Sequence, residues 1–364
     1  MRVSPIVQHP ARLADGRDLI YFDDADTSLG PGRRLDERTL DPRPATATMR
    51  QDVLTGDWIS IAAARQNRVF LPPAEADPLA PQSLGNPSEI PDVYDVAVFE
   101  NRSPSFGPEL GPVDTDGFGF ERTAPSHGRC EVVCFAPEST GSLGAQTVSR
   151  VRTVVEAWAE RTAALSALPG VEQVFPFENR GEAIGVTLHH PHGQIYAYPY
   201  VTPRTKAMLD AAEAVGPDLF ARLLDHESAG QRMVLEGEHW AAFVPFAARW
   251  PLEVHLMPRR HVPDLAATTD AERDELAVLH RRLLRAVDTL YDSPTPYIAA
   301  WHQAPVNVGR QALRVHLQLT SPRRAADRLK YLAGSEAAMG AWIGDVVPEA
   351  QAERMRAAIA AVGE

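Results

Sequence analysis

Two stretches of this chain spell out the same order of elements, and that repetition limits its folds more than any other feature. Residues 130–135 form an apolar strand-like run, 148–168 carry apolar residues at helical spacing, and strands are predicted near 171–177 and 183–188. Residues 240–320 repeat the order, with strands at 240–246 and 252–257, an amphipathic helix across 271–291, and strands at 297–301 and 313–319. Each copy ends in histidine: His189, His190 and His192 close the first, and Val315-His316-Leu317-Gln318 closes the second. Units of this kind bury their apolar faces by laying a helix on an antiparallel sheet. The chain reads as α+β, a duplicated unit with a meandering antiparallel sheet in each half and long helices packed on it. A break near 205–235 separates a first domain over 46–205 from a second over 206–364.

Residues 1–45, rich in Asp, Arg, Gly and Pro, have one strand-like run at 19–22 and are expected to form an arm over this body that adds little chemistry. A length of 364 residues leaves ample room for a core, and a formal net charge of -12 speaks against a nucleic-acid partner, which would need a basic stripe. No run approaches the roughly 18 apolar residues of a membrane span, and the N-terminus lacks the apolar core of a signal peptide. No membrane partner is expected. Cys130 and Cys134 stand four residues apart on a predicted strand, roughly 13 Å, which is too far for a disulfide. The protein is therefore placed in a reducing cytoplasm.

The densest chemistry lies in His190-Pro191-His192-Gly193-Gln194. On an extended chain His190, His192 and Gln194 share a face while His189 turns to the other. A zinc site needs three or four ligands, so that reading is underdetermined here. A nucleophile fits better, because neutral imidazole attacks phosphorus well and forms covalent intermediates. Pro191 fixes the backbone, Gly193 lets it approach a phosphate, and a carbonyl on one ring nitrogen would leave the other free for in-line attack. Arg65 and Arg68 follow a strand-like run at 58–62 and are either a phosphate clamp or exposed solubilising charge.

Phe177-Glu178-Asn179-Arg180-Gly181, Gly185-Val186-Thr187 and the histidine segment together resemble the galactose-1-phosphate uridylyltransferases of the histidine-triad superfamily. The resemblance spans roughly residues 49–360 and continues through Leu54-Thr55-Gly56-Asp57-Trp58-Ile59, Glu238-His239-Trp240, Trp250-Pro251-Leu252-Glu253 and Trp301-His302-Gln303-Ala304-Pro305. It implies two histidine-triad-like domains and a ping-pong reaction. His192 would attack the α-phosphorus of UDP-glucose, release glucose 1-phosphate, and pass UMP to galactose 1-phosphate.

Gln194 aligns with a glutamine that bonds the phosphoryl oxygens, where histidine-triad hydrolases carry a third histidine; His190 completes the catalytic set. A sugar 1-phosphate, with a second pKa of about 6, leaves without a strong general acid, and glutamine activates water poorly. Arg65 and Arg68 align with arginines that reach phosphate across a dimer interface, implying a homodimer with a shared site. Asn101, Asn179, Gly185 and Thr187 align with nucleotide or sugar contacts. Lys330, Gly334 and Glu336 align with the sugar-phosphate loop, in which Ala333 and Ser335 replace the family's frequent valine and tyrosine.

The resemblance brings zinc or iron with it, yet most ligand positions are absent. The zinc positions fall on Asp77, Ala80 and Ser139, leaving His190; a second set keeps His302 and His316, its glutamate falling near Met208 and its last histidine on Gln318. The chemistry itself requires no cofactor. Two rival readings are a phosphorylase of the same superfamily, acting on ADP-glucose or a dinucleoside polyphosphate, and a catalytically idle nucleotide sensor.

Overall fold

A computed structural model describes residues 6–363 apart from 44, 46, 64–70, 109, 111–112 and 114–118, so Arg65 and Arg68 lie outside the described residues. The first half of the chain holds strands β1 (Val7–Arg12), β2 (Asp18–Asp23), β3 (Thr48–Gln51), β4 (Trp58–Ile61), β5 (Val96–Glu100), β6 (Thr123–Pro125), β7 (Arg129–Cys134), β8 (Gln173–Arg180) and β9 (His192–Tyr198). The second holds β10 (Met233–Glu236), β11 (Trp240–Phe243), β12 (Leu252–Pro258), β13 (Tyr297–His302), β14 (His316–Ser321), β15 (Arg323–Ala325) and β16 (Arg328–Leu329). The helices are α1 (Val148–Ser166), α2 (Pro203–Val215), α3 (Leu219–Ser228), α4 (Asp270–Asp288), α5 (Gly334–Met339) and α6 (Pro348–Val362).

Eleven of the described strands form one sheet in the order β1-β2-β5-β7-β9-β8-β13-β14-β12-β11-β10. Its centre is a palindrome of the two copies: β5-β7-β9-β8 runs in to the middle from one side as β11-β12-β14-β13 does from the other. Antiparallel pairing of β8 with β13, from Tyr297 opposite Arg180 to Ala300 opposite Phe177, joins them. The duplication read from the sequence is thus present, but the two sheets are one. The seam carries polar stitches as well, with the Tyr297 hydroxyl donating to Glu178 at 3.0 Å and Arg180 paired with Asp288 at 2.5 Å.

Why one face is apolar follows from strand parity. Ile195 and Ala197 of β9, Val133 of β7, and Val254, Leu256, Leu317 and Leu319 of the second copy all point to the side covered by α1, α4 and α6. Thr147 caps α1 by accepting from the Arg150 amide, and α4 opens with a capping box between Thr269 and Glu272. Trp158, Trp240 and Trp301 are almost fully buried where the two helices meet the sheet, Trp158 lying edge-on to Phe135 and tilted against His280 and Trp301.

Several expectations change. The predicted strand at 183–188 does not form: Glu182–Ile184 is a short 3-10 turn between Gly181 (φ 93°) and Gly185 (φ 79°), left-handed positions that suit glycine. The strand predicted to 246 stops at Phe243, just before Pro245. The break at 205–235 contains α2 and α3, which cover the second copy's other face with Phe220, Leu224 and Ala212. Nor does the N-terminal segment simply lie over the body, because β1 and β2 extend the main sheet, β2 pairing with β5.

Candidate functional site

The face of β9 turned away from α1 carries His192, Gln194 and Tyr196, and in the first half no helix covers it. His192 and Gln194 line a cavity of about 240 Å³ with Arg17, Pro78, Leu79, Glu89, Phe99, Asn101, Arg102, Ser103, Val132, Thr187 and Leu188. On its other side His192 borders a second cavity, reached also by Asn179, Gly181, Val186, His189 and His190. The half-buried nucleophile candidate therefore stands between two spaces.

Local geometry prepares the ring. His192 Nδ1 lies 2.7 Å from the His190 carbonyl, an acceptor, which fixes the proton on Nδ1 and leaves the Nε2 lone pair free. Burial lowers the His192 pKa below the usual histidine value, partly opposed by that carbonyl bond, so the ring is neutral at neutral pH. Gly193 faces the core rather than the cavity: a Cβ there would meet the Phe135 ring at 2.9 Å and the Phe177 carbonyl at 3.0 Å. The glycine makes room for packing, a different reason from the phosphate approach expected.

His190 stands just before β9, which begins at His192, and its buried side chain is tied down beside the second cavity, which it lines together with His192. Its Nδ1 meets Asp77 Oδ2 at 2.6 Å and its Nε2 meets the Ala136 carbonyl at 2.7 Å, with the Tyr94 hydroxyl 3.1 Å away. The His190 contact holds the Asp77 carboxyl below its ordinary pKa despite burial, and Ser139 also bonds it. The residues at the zinc positions do not fit zinc, because both ring nitrogens of His190 are spent on oxygen acceptors and Asp77 serves the histidine. What remains is a lock that orients the His190 carbonyl toward His192.

The second copy repeats the nucleophile's local geometry. His316 Nδ1 lies 3.0 Å from the Arg314 carbonyl, and Gln318 follows two residues later as Gln194 follows His192. Here the face is closed: Phe220 of α3 lies 5.7 Å from the His316 ring, and His302 and His255 pack on it at 5.1 and 5.6 Å. Gln318 donates to Glu253 at 2.7 Å and stands 3.1 Å from His302 Nε2, while Glu253 also bonds His255. These donors serve one another, Arg204 adds positive charge against His302 and His316, and no group of three His, Cys, Asp or Glu among the described residues is placed to hold a metal. His302 and His316 do not fit a metal site.

The sequence-selected residues divide. Asn101, Thr187, His192 and Gln194 share the first cavity, and Asn179, His190 and His192 the second. Gly185 borders neither and shapes the turn between them. Lys330, Gly334 and Glu336 stand apart: Lys330 bridges to Glu336 at 2.8 Å and bonds the Arg249 carbonyl, near Trp250 and Trp342. Sequence reasoning missed Arg17, Glu89, Tyr94 and the role of Asp77. None sits in a motif with the histidines, and only the fold brings them there.

Cys130 and Cys134 are buried and form no disulfide, and no helix of the described residues is long and apolar enough to cross a membrane. Comparison with known proteins places this geometry. Residues 45–202 match the family model for the N-terminal domain of galactose-1-phosphate uridyl transferase, and 209–363 match that for its C-terminal domain. A galactose-1-phosphate uridylyltransferase from Streptomyces lividans is 44% identical over 95% of this chain and 96% of its own length. A solved uridylyltransferase aligns with a TM-score of 0.79 at 30% identity, covering 87% of this chain and 100% of its own. An ADP-glucose phosphorylase from Arabidopsis thaliana shares the fold, with a TM-score of 0.64 at 22% identity over 85% of this chain and 98% of that one.

Proposed function

Because this chain belongs to the galactose-1-phosphate uridyl transferase family, we propose that it moves a uridylyl group from UDP-glucose to galactose 1-phosphate by way of His192. The observation that carries the proposal is the free Nε2 of His192, set between two cavities with its other nitrogen held by the His190 carbonyl.

In the first half-reaction Nε2 attacks the α-phosphorus, a nitrogen–phosphorus bond forms, and the bond to the bridging oxygen breaks as glucose 1-phosphate leaves. The ring becomes cationic while its proton stays on Nδ1, and the hydrogen bond from Nδ1 to the His190 carbonyl favours that cation. Galactose 1-phosphate then attacks phosphorus through a phosphate oxygen, the nitrogen–phosphorus bond breaks, and UDP-galactose is released with His192 restored. Gln194 donates to the phosphoryl oxygens and is a poor base for water. Asn101 and Thr187 contact one part of the donor and Asn179 the part across His192, with Gly185 shaping the turn. Because Lys330, Gly334 and Glu336 stand away from these cavities, a homodimer is the arrangement we favour, in which a second copy supplies them and, with Arg65 and Arg68, completes the phosphate clamp. Two reduced cysteines suit the cytoplasm.

Mixing the protein with UDP-glucose alone should add the mass of UMP to the peptide carrying His192; active protein with no such adduct would refute the mechanism. ADP-glucose in place of UDP-glucose tests the phosphorylase alternative, which the uridylyltransferase relatives at 44% and 35% identity do not favour. The pH dependence of adduct formation is a second check. Since the folded pKa of His192 lies below the ordinary value of about 6.5, the neutral nucleophile persists as pH falls through that value. Rapid-quench rates should therefore hold level past it and decline only at lower pH. An acid limb centred at or above it would contradict the burial argument.

A further inference from the structure

We infer that Arg17, delivered by the N-terminal hairpin, positions Glu89 as a hydrogen-bond acceptor for the nucleoside part of the donor substrate. The inference deepens the uridylyl-transfer reading and rests on it. The residues that bring Arg17 precede residue 45, where the family model begins.

Arg17 sits just before β2 with a fully buried side chain. Burying a guanidinium is tolerable only when its donors find acceptors, and here each of its three nitrogens does. Nε donates to Asp15 at 2.9 and 2.8 Å, one terminal nitrogen donates to the Glu100 carbonyl at 2.9 Å, and the other meets Glu89 Oε2 at 2.5 Å. Arg38, also from the N-terminal segment, reaches the same Glu89 oxygen at 3.4 Å. One carboxylate oxygen is thereby pinned by two arginines, and among the described residues no hydrogen bond reaches the other. Glu89 is part-exposed, at 20%, and lines the cavity of His192 and Gln194.

The contact to the Glu100 carbonyl matters too, because the next residue is Asn101, whose amide bonds the Cys130 carbonyl and whose side chain accepts from the Ser103 amide. Arg17 thus fixes the end of β5 and the acidic wall beside it together. Of the two cavities flanking His192, this one has apolar walls from Pro78, Leu79, Phe99 and Val132, suited to the faces of a pyrimidine ring. The other is lined by Ser139, Thr140, Ser142 and Asn179, which suit sugar hydroxyls. With the α-phosphorus at His192, the nucleoside extends into the first cavity, where a carboxylate oxygen accepts from a neutral donor. Two groups on the nucleoside offer that chemistry, a ribose hydroxyl and the uracil N3–H.

The test couples enzyme and substrate. Adduct formation on His192 is measured against concentration for UDP-glucose, its 2′-deoxyribose analogue and its N3-methyluracil analogue, using wild type and Glu89→Ala. In wild type the analogue lacking the bonded donor should need about tenfold more for half-maximal rate. In Glu89→Ala, UDP-glucose itself should shift by about the same factor and that analogue should cease to differ from it. Arg17→Lys, which keeps the charge but loses the fork, should shift UDP-glucose in the same direction. Equal analogue penalties in both proteins, or an effect confined to the acceptor step, would overturn the inference. Wild type that forms no adduct would overturn the transfer reading with it, whereas an adduct with uncoupled penalties overturns this inference alone.

Discussion

His192→Gly is expected to lose at least about 10⁴-fold in turnover while still folding and still binding nucleotide. The side chain lies on the open face of β9, so removing it deletes one hydrogen bond to a carbonyl, about 1 kcal/mol, and no core contact. Gln194, Asn101 and Thr187 remain to hold the ligand. Steady-state turnover beside nucleotide titration separates the readings. Binding retained with turnover lost excludes the idle-sensor reading, provided that wild type turns over. Turnover within tenfold of wild type would show that the covalent step does not pass through His192.

The second large effect is on stability in acid. Burial pushes His280 down to about 4 and His302 down to about 3, and drives His316 well below the ordinary histidine value, with the charge of neighbouring His302 assisting. A group whose folded pKa is depressed below its unfolded value of about 6.5 stays neutral in the native state while the unfolded chain takes up a proton. Stability therefore falls as pH drops from about 6.5, by about 1.4 kcal/mol per pH unit for each such histidine. Glu178 works the other way. Buried with a single hydroxyl donor, it is raised to about 7, so the native state binds its proton first and offsets one histidine. His280, His302 and His316 against Glu178 give a net of about two protons, roughly 3 kcal/mol per pH unit below about 6.5, and the lowered His192 steepens the slope further. Among the described residues His280 has no hydrogen-bond partner on either ring nitrogen, so His280→Leu should fold and remove one proton from that slope. Urea midpoints from about pH 7 down to about pH 5 measure this; identical slopes in variant and wild type would refute it.

The mirrored halves explain why one copy can work while the other is silent. Both keep a histidine whose Nδ1 is locked to the carbonyl two residues earlier, and both keep the glutamine after it. They differ in what lies over them. The first copy opens on two cavities, whereas the second is packed under Phe220 and knotted to Glu253, His255 and His302.

The sequence by itself determined the repeated unit, the parity that sends Ile195 and Ala197 to the core and His192 and Gln194 to the other face, and the choice of His192 as the nucleophile candidate. Those are local properties: period, propensity, and residue types a few positions apart. Tertiary structure decided the rest. Only the β8–β13 pairing made two sheets one, only the fold turned His190 away from a metal and onto Asp77, and only the hairpin of β1 and β2 brought Arg17 beside a cavity whose other walls lie up to 177 residues away in sequence. Contacts between distant segments depend on which surfaces bury together, and no local pattern in this chain records that choice.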